Sequence, residues 1–218
     1  MAGQAPEALL DSYDTERAFA ADENIRHSTR SSDFITPKSE ASRAFRDATL
    51  LLAKHHAFAR RLVNSGRLSL PTTLGASALS TRDRAGETFA SVVPLGGPAI
   101  DAPVEGPRGV WLLSYLDGGF TLLVFDTAVP ADAVEALADD ANSCNVVQVG
   151  GKSVAEAFRI EDSERLLAAR YDGKPGTCYL FRPDQHLCAR WRSFDLRSVR
   201  AAIARATGQA YVEAMEAV

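Results

Sequence analysis

Cysteine is scarce in this chain of 218 residues. Three occur, an odd number at irregular spacing, so neither a disulfide framework nor a cysteine zinc site is indicated. Positive charge is not in excess. The chain has 24 lysines and arginines against 28 acidic residues and a net charge of −4, without the basic footprint of a nucleic-acid binder. No run of 18 or more apolar residues occurs, so no segment reads as a membrane span. Met1–Glu7 is polar and lacks an apolar stretch, so no secretory signal is expected. These absences point to a soluble cytoplasmic protein of a reducing compartment. Two sequence motifs are missing as well. There is no Gly-x-Gly-x-x-Gly for a dinucleotide and no Gly-x-Ser-x-Gly nucleophile elbow.

What is present suffices for one or two domains with a self-supporting core, since 46% of the residues are hydrophobic. Glu7–His27 reads as a helix with a loose apolar face of Leu9, Leu10, Tyr13, Ala20 and Ile25. Thr36-Pro37 interrupts the helical pattern. Ser39 is placed to cap a second helix running to about Asn64. In that helix Ala41, Phe45, Ala48, Leu52, Ala59 and Leu62 share one face, expected to be buried, and Gly66 supplies the stop. Residues 1–66 therefore form one region. Residues 67–109 are rich in glycine and proline without strong periodicity, which reads as a linker or functional arm.

Residues 110–218 change texture. Gly119–Phe125 and Asn145–Val149 read as buried strands, with a helix over Pro130–Asn142 between them. Val154–Phe158 and Ser163–Tyr171 read as short helices. Thr177–Phe181 and His186–Arg192 form a hairpin about Arg182-Pro183-Asp184-Gln185, and Asp195 caps a last helix ended by Gly208. The order β-α-β-α-β-β-α describes an α/β domain with one parallel pair and a terminal hairpin. Residues 1–90 carry 12 basic and 11 acidic side chains; residues 91–218 carry 12 and 17, so the acidity sits on the α/β part.

Val146–Ser153 runs a strand into Gly150-Gly151-Lys152-Ser153, but the first glycine of a phosphate loop is replaced by Val146, which favours a plain turn. If Arg182 and Gln185 flank a two-residue turn, Cys178 faces Ala189 and Cys188 faces Tyr179, with the thiols on opposite sides of the sheet; a one-residue slip would bring them together. Cys144 has no adjacent basic group to activate it, and all three thiols read as structural. His55 and His56 are neighbours on a helix rather than an i, i+4 metal pair, while His27 and His186 read as exposed or packing residues. Arg182, Arg190, Arg192, Arg197, Arg200 and Arg205 lie around Trp191 and Phe194. Strand alternation puts Leu187, Ala189 and Trp191 on one face and His186, Cys188, Arg190 and Arg192 on a solvated one that guards an edge. No catalytic, cofactor-binding or metal-ligating residue emerges.

Ala8-Leu9-Leu10-Asp11-Ser12-Tyr13-Asp14-Thr15-Glu16-Arg17 resembles a helix of class A flavoprotein monooxygenases, the para-hydroxybenzoate hydroxylase-like FAD enzymes. Ala2–Pro6 looks like the loop leading into it, and Asn64–Ser69 with Pro71 resembles the tail of that module. Ala168-Ala169-Arg170-Tyr171-Asp172-Gly173-Lys174-Pro175-Gly176-Thr177, followed by Leu180–His186, resembles the thioredoxin-like domain of larger members such as phenol hydroxylases. The resemblance implies an α/β fold with a thioredoxin-like mixed sheet and flanking helices, preceded by two long helices and an extended arm. It also implies a cis peptide before Pro175. The redox Cys-x-x-Cys position reads Phe125-Asp126-Thr127-Ala128-Val129-Pro130, without cysteine, and the flavin motifs that would precede Tyr13 are not in the chain. The expectation is a C-terminal portion of an FAD- and NAD(P)H-dependent aromatic hydroxylase, non-catalytic by itself. Its partners would be an FAD-binding module, in the same or a companion chain, and further copies of itself. The alternative is a stand-alone thioredoxin-like redox protein using Cys178 or Cys188, or a partner-binding protein.

Overall fold

The computed structural model describes residues 6–63, 71–151 and 157–209. Gly66, Lys152-Ser153, most of the expected helix at Val154–Phe158, and the resembling segments Ala2–Ala5 and Asn64–Ser69 lie outside them. The chain divides into two compact units, residues 14–72 and residues 1–13 with 73–218.

Residues 14–72 hold most of α1 (Ala8–Ile35), together with α2 (Glu40–Ala53) and α3 (Ala57–Val63). Ser39 caps α2 as expected, its hydroxyl accepting the Ser42 N–H at 3.1 Å. The single long helix expected from Ser39 is instead two. It breaks at Lys54-His55-His56, where the Arg60 guanidinium donates to the carbonyls of Ala53 (2.9 Å) and Lys54 (3.3 Å) and so satisfies the end of α2. The expected buried face is also corrected. Ala59 is buried, but Phe45, Leu52 and Leu62 are 62%, 43% and 59% exposed.

The second unit is built on a five-stranded mixed sheet of order β3-β2-β1-β4-β5. Its strands are β1 (Phe120–Phe125), β2 (Cys144–Val149), β3 (Phe158–Ile160), β4 (Cys178–Phe181) and β5 (Leu187–Trp191). The helices α4 (Ala131–Asp139), α5 (Leu166–Tyr171) and α6 (Leu196–Ala206) complete it. β1–β2 and β2–β3 are parallel; β1–β4 and β4–β5 are antiparallel. Two parallel pairs thus replace the one expected. Phe158–Ile160 is strand, not helix end, because it pairs with Val147–Val149 and buries Ile160 completely. Tertiary pairing here overrides the local pattern.

β1 is buried along its whole length, as a central strand covered on both faces must be. Phe120, Leu122 and Val124 point to one core, shared with Val134 and Leu137 of α4 and Val199 and Ile203 of α6. Leu123 and Phe125 point to the other, which Leu167 and Tyr171 of α5 share with Val93, Ala102 and Val104. Residues 73–109 are therefore part of this unit's core. They also cover the outer edge of β5: the Leu187 N–H donates to Gly97 O (2.9 Å), Gly96 N–H to Leu187 O (2.8 Å) and Thr81 N–H to Cys188 O (2.7 Å). Edge protection comes from backbone pairing rather than from the charged face the alternation suggested.

No peptide bond among the described residues is cis, Pro175 included. Lys174-Pro175-Gly176-Thr177 closes a trans turn, with the Thr177 N–H donating to Lys174 O at 2.9 Å and Gly176 at φ +88°. Proline then glycine at the two central positions is the composition a type II turn requires.

Candidate functional site

At the carboxyl ends of β1 and β2, the Asp126 N–H donates to Val149 O (2.9 Å), and Asp126 is left-handed at φ +43°. The Gln148 side-chain amide donates to Thr127 O at 3.1 Å, and the Gly176 N–H donates to Phe125 O at 2.8 Å. This is where parallel strands conventionally present a ligand crevice. Asp126–Pro130 contributes no thiol, no histidine and no hydroxyl other than that of Thr127.

The cysteines lie elsewhere. The hairpin turn pairs Arg182 with His186, because Gln185 adopts φ +65° and joins Pro183 and Asp184 in the loop. The ladder then shifts: Phe181 lies opposite Leu187, but Leu180 lies opposite Ala189, and Cys188 is the extra residue. Cys178 consequently faces Trp191, not Ala189, and both thiols lie in the core beneath α4 and α6 rather than on opposite faces. The bulge, invisible in an alternating pattern, is the reason. Cys144 belongs to the same core, and all three are free and buried. Burial pushes the thiols of Cys178 and Cys188 up to about 12, and raises that of Cys144 as well. A thiol held protonated in an apolar core is a poor nucleophile, which counts against the redox alternative.

The arginines expected on a solvated face are packed. The Arg190 side chain is only 11% exposed; its Nε and Nη2 donate to the Asp83 carboxylate at 2.9 and 2.8 Å, and its Nη1 to Val93 O at 3.1 Å. Arg192 pairs with Asp172 and donates to Thr88 O. Both guanidiniums lie over the Phe89 ring, Arg190 at 4.4 Å and Arg192 at 4.1 Å, and the ring makes a T-shaped contact with Tyr179. The hydrogen bond from Arg192 is the main reason the Asp172 carboxyl is held below its usual range. Arg200 pairs with Asp140 on α4's end at 2.8 Å. What alternation could not supply was the acidic and aromatic partners, which come from segments 20 to 107 positions earlier.

At the hairpin tip, Arg182 Nε donates to Asp184 at 3.1 Å, and the His186 ring lies 3.5 Å from the same carboxylate. Burial alone would raise the Asp184 carboxyl, but hydrogen bonds from His186 and Arg182 and their charges hold it well below the carboxylate range. The hydrogen bond to Asp184 raises His186 above its ordinary value, against burial. His27 lies 3.9 Å from Glu23 on α1, and His55 and His56 lie in the break between α2 and α3. No group of three metal-ligating side chains occurs among the described residues. An open cleft of about 410 Å³ is lined by Ala90, Arg165, Ala168, Ala169, Asp172 and Gly173. Its one acid is already engaged by Arg192 and Lys174.

The architecture places the chain in a class by fold: it is shaped like a portion of FAD-dependent monooxygenases. The flavin-dependent monooxygenase PieE, solved with FAD and substrate, matches 95% of this chain with a TM-score of 0.67 and 22% identity. Aklavinone-11 hydroxylase, solved with FAD and aklavinone, matches 95% with a TM-score of 0.56 and 20% identity. The rebeccamycin biosynthetic enzyme RebC, solved with reduced flavin, matches 94% with a TM-score of 0.59 and 22% identity. The chain spans only 41%, 36% and 37% of those three proteins. No protein-family model and no curated protein sequence matches it.

Proposed function

We propose that this chain is the C-terminal portion of an FAD- and NAD(P)H-dependent aromatic hydroxylase, that it covers an FAD-binding module, and that it does not turn over by itself. The carrying observation is the exposed apolar face of α2 and α3. Phe45, Leu52, Phe58 and Leu62 are each more than 40% exposed on helices whose sequence is patterned for burial. About three fifths of the length of the similar flavoproteins has no counterpart in these residues, which supports a flavin module as the missing cover. The module would belong to the same or a companion chain in the cytoplasm, and copies of the assembly would associate with one another. The order β2-β1-β4-β5, with one parallel and two antiparallel pairings, supports reading the sheet as thioredoxin-like. The three buried thiols support a structural use of that domain.

Co-expression with an FAD-binding module of a related monooxygenase tests the proposal. The expected result is a co-purifying yellow complex, and a colourless preparation when this chain is expressed alone. Flavin absorption that survives desalting of the lone chain would count against it.

A further inference from the structure

The covering of the β5 edge by residues 73–109 is not uniform. Thr81 N–H donates to Cys188 O and Val92 N–H donates to Arg170 O, and Gly96, Gly97 and Ala99 all bond the hairpin backbone. Between Thr81 and Val92, no backbone-to-backbone bond among the described residues ties residues 82–90 to the sheet. Their one such bond is internal, Glu87 N–H to Arg84 O at 3.0 Å.

Charge holds this segment instead. Asp83 takes two bonds from Arg190, and Arg84 lies 3.5 Å from Asp195 at the start of α6. Thr88 O is bonded by Arg192, and the Ala90 N–H donates to the Asp172 carboxylate at 3.1 Å. Both guanidiniums lie over the Phe89 ring. We propose that residues 82–90 are a releasable strap, fastened across the β5 edge by charge and one aromatic ring rather than by backbone pairing.

The closed strap also carries a cost that opening removes. One oxygen of Glu87 and the hydroxyl of Thr81, at the strap's hinge, are buried with no hydrogen-bond partner among the described residues. The Glu87 charge acts on the buried Cys178 thiol and helps to raise it. A segment fastened by charge, with one buried carboxylate oxygen lacking a partner, belongs to the low-stability end of a fold. Its release would break the Asp83–Arg190 pair and lift Phe89 from Tyr179, while Arg192 keeps Asp172 and the flanking residues keep their backbone bonds.

Amide hydrogen exchange of the full chain by NMR tests this. Ala90 and Glu87 report the strap; Thr81, Gly96 and Leu187 report the paired edge. The expected result is that Ala90 and Glu87 exchange at least about tenfold faster than the edge amides, and faster still in 0.5 M NaCl, which screens the fastenings. Asp83→Asn should accelerate the strap amides about tenfold and leave Gly96 and Leu187 unchanged. Exchange of Ala90 in step with Leu187 in the unaltered protein would overturn the strap. Fast exchange that ignores salt would overturn its fastening by charge. Both readings use the unaltered chain, so they stand even if Asp83→Asn does not fold.

Discussion

The Arg182–Asp184–His186 group at the hairpin tip gives the protein a pH signature that follows from sign alone. A carboxyl lowered on folding stabilises above its unfolded value near 4 and loses that contribution as pH falls. A histidine raised on folding stabilises below about 6.5 and loses that contribution as pH rises through its folded value. Both operate together from roughly pH 4 to 6.5. His186→Gln should therefore lower the thermal midpoint at pH 5.5 and leave it nearly unchanged at pH 8.5. Equal losses at both would show that the ring only packs. The thiols make a second residue-scale test. An aromatic disulfide reagent should titrate none of the three cysteines in the native chain and all three after denaturation. At this scale the sequence correctly read the thiols as buried. It misread Arg190 and Arg192 because their partners, Asp83 and Phe89, meet them only through the fold.

Strands, turns and helices respond to different physics. Gly176 sits at φ +88°, where a side chain is strained, so Gly176→Ala should cost about 1–2 kcal/mol in denaturant unfolding. Leu122 is fully buried on the central strand, and Leu122→Ala should cost about 2–5 kcal/mol by the same measurement. Phe45→Ala should stay within about 0.5 kcal/mol in the lone chain, since the ring is already in water, yet weaken capture of a flavin module. A large loss from Phe45→Ala in the lone chain would mean that this chain covers the face itself. Capping was legible from sequence: Ser39 and Asp195 each accept the N–H three residues on, at 3.1 and 3.0 Å. The split between α2 and α3 was not, because no glycine or proline marks it and a side chain six or seven residues away makes it.

For the whole molecule, the place of residues 73–109 is decisive. Val93, Ala102 and Val104 complete a core shared with all five strands, α5 and residues 112–116. A fragment of residues 110–218 should therefore melt lower than one of 73–218 and aggregate along the bared β5 edge, as thermal scanning with light scattering would register. Equal melting of the two would show that the arm adds no stability. Composition, hydrophobic period and caps were enough to determine an α/β unit with a terminal hairpin and amphipathic helices before it, because those signals are local. The sequence motifs also carried the likeness to flavin-dependent hydroxylases that the fold matches. Only the tertiary structure decided the third parallel strand, the bulge that puts Cys178 and Cys188 on one face, the trans turn at Pro175 and the use of the glycine-rich arm as core. The third parallel strand and the arm depend on backbone pairing between segments far apart in the chain, the bulge and the turn on backbone conformation at single residues, and no local periodicity encodes either.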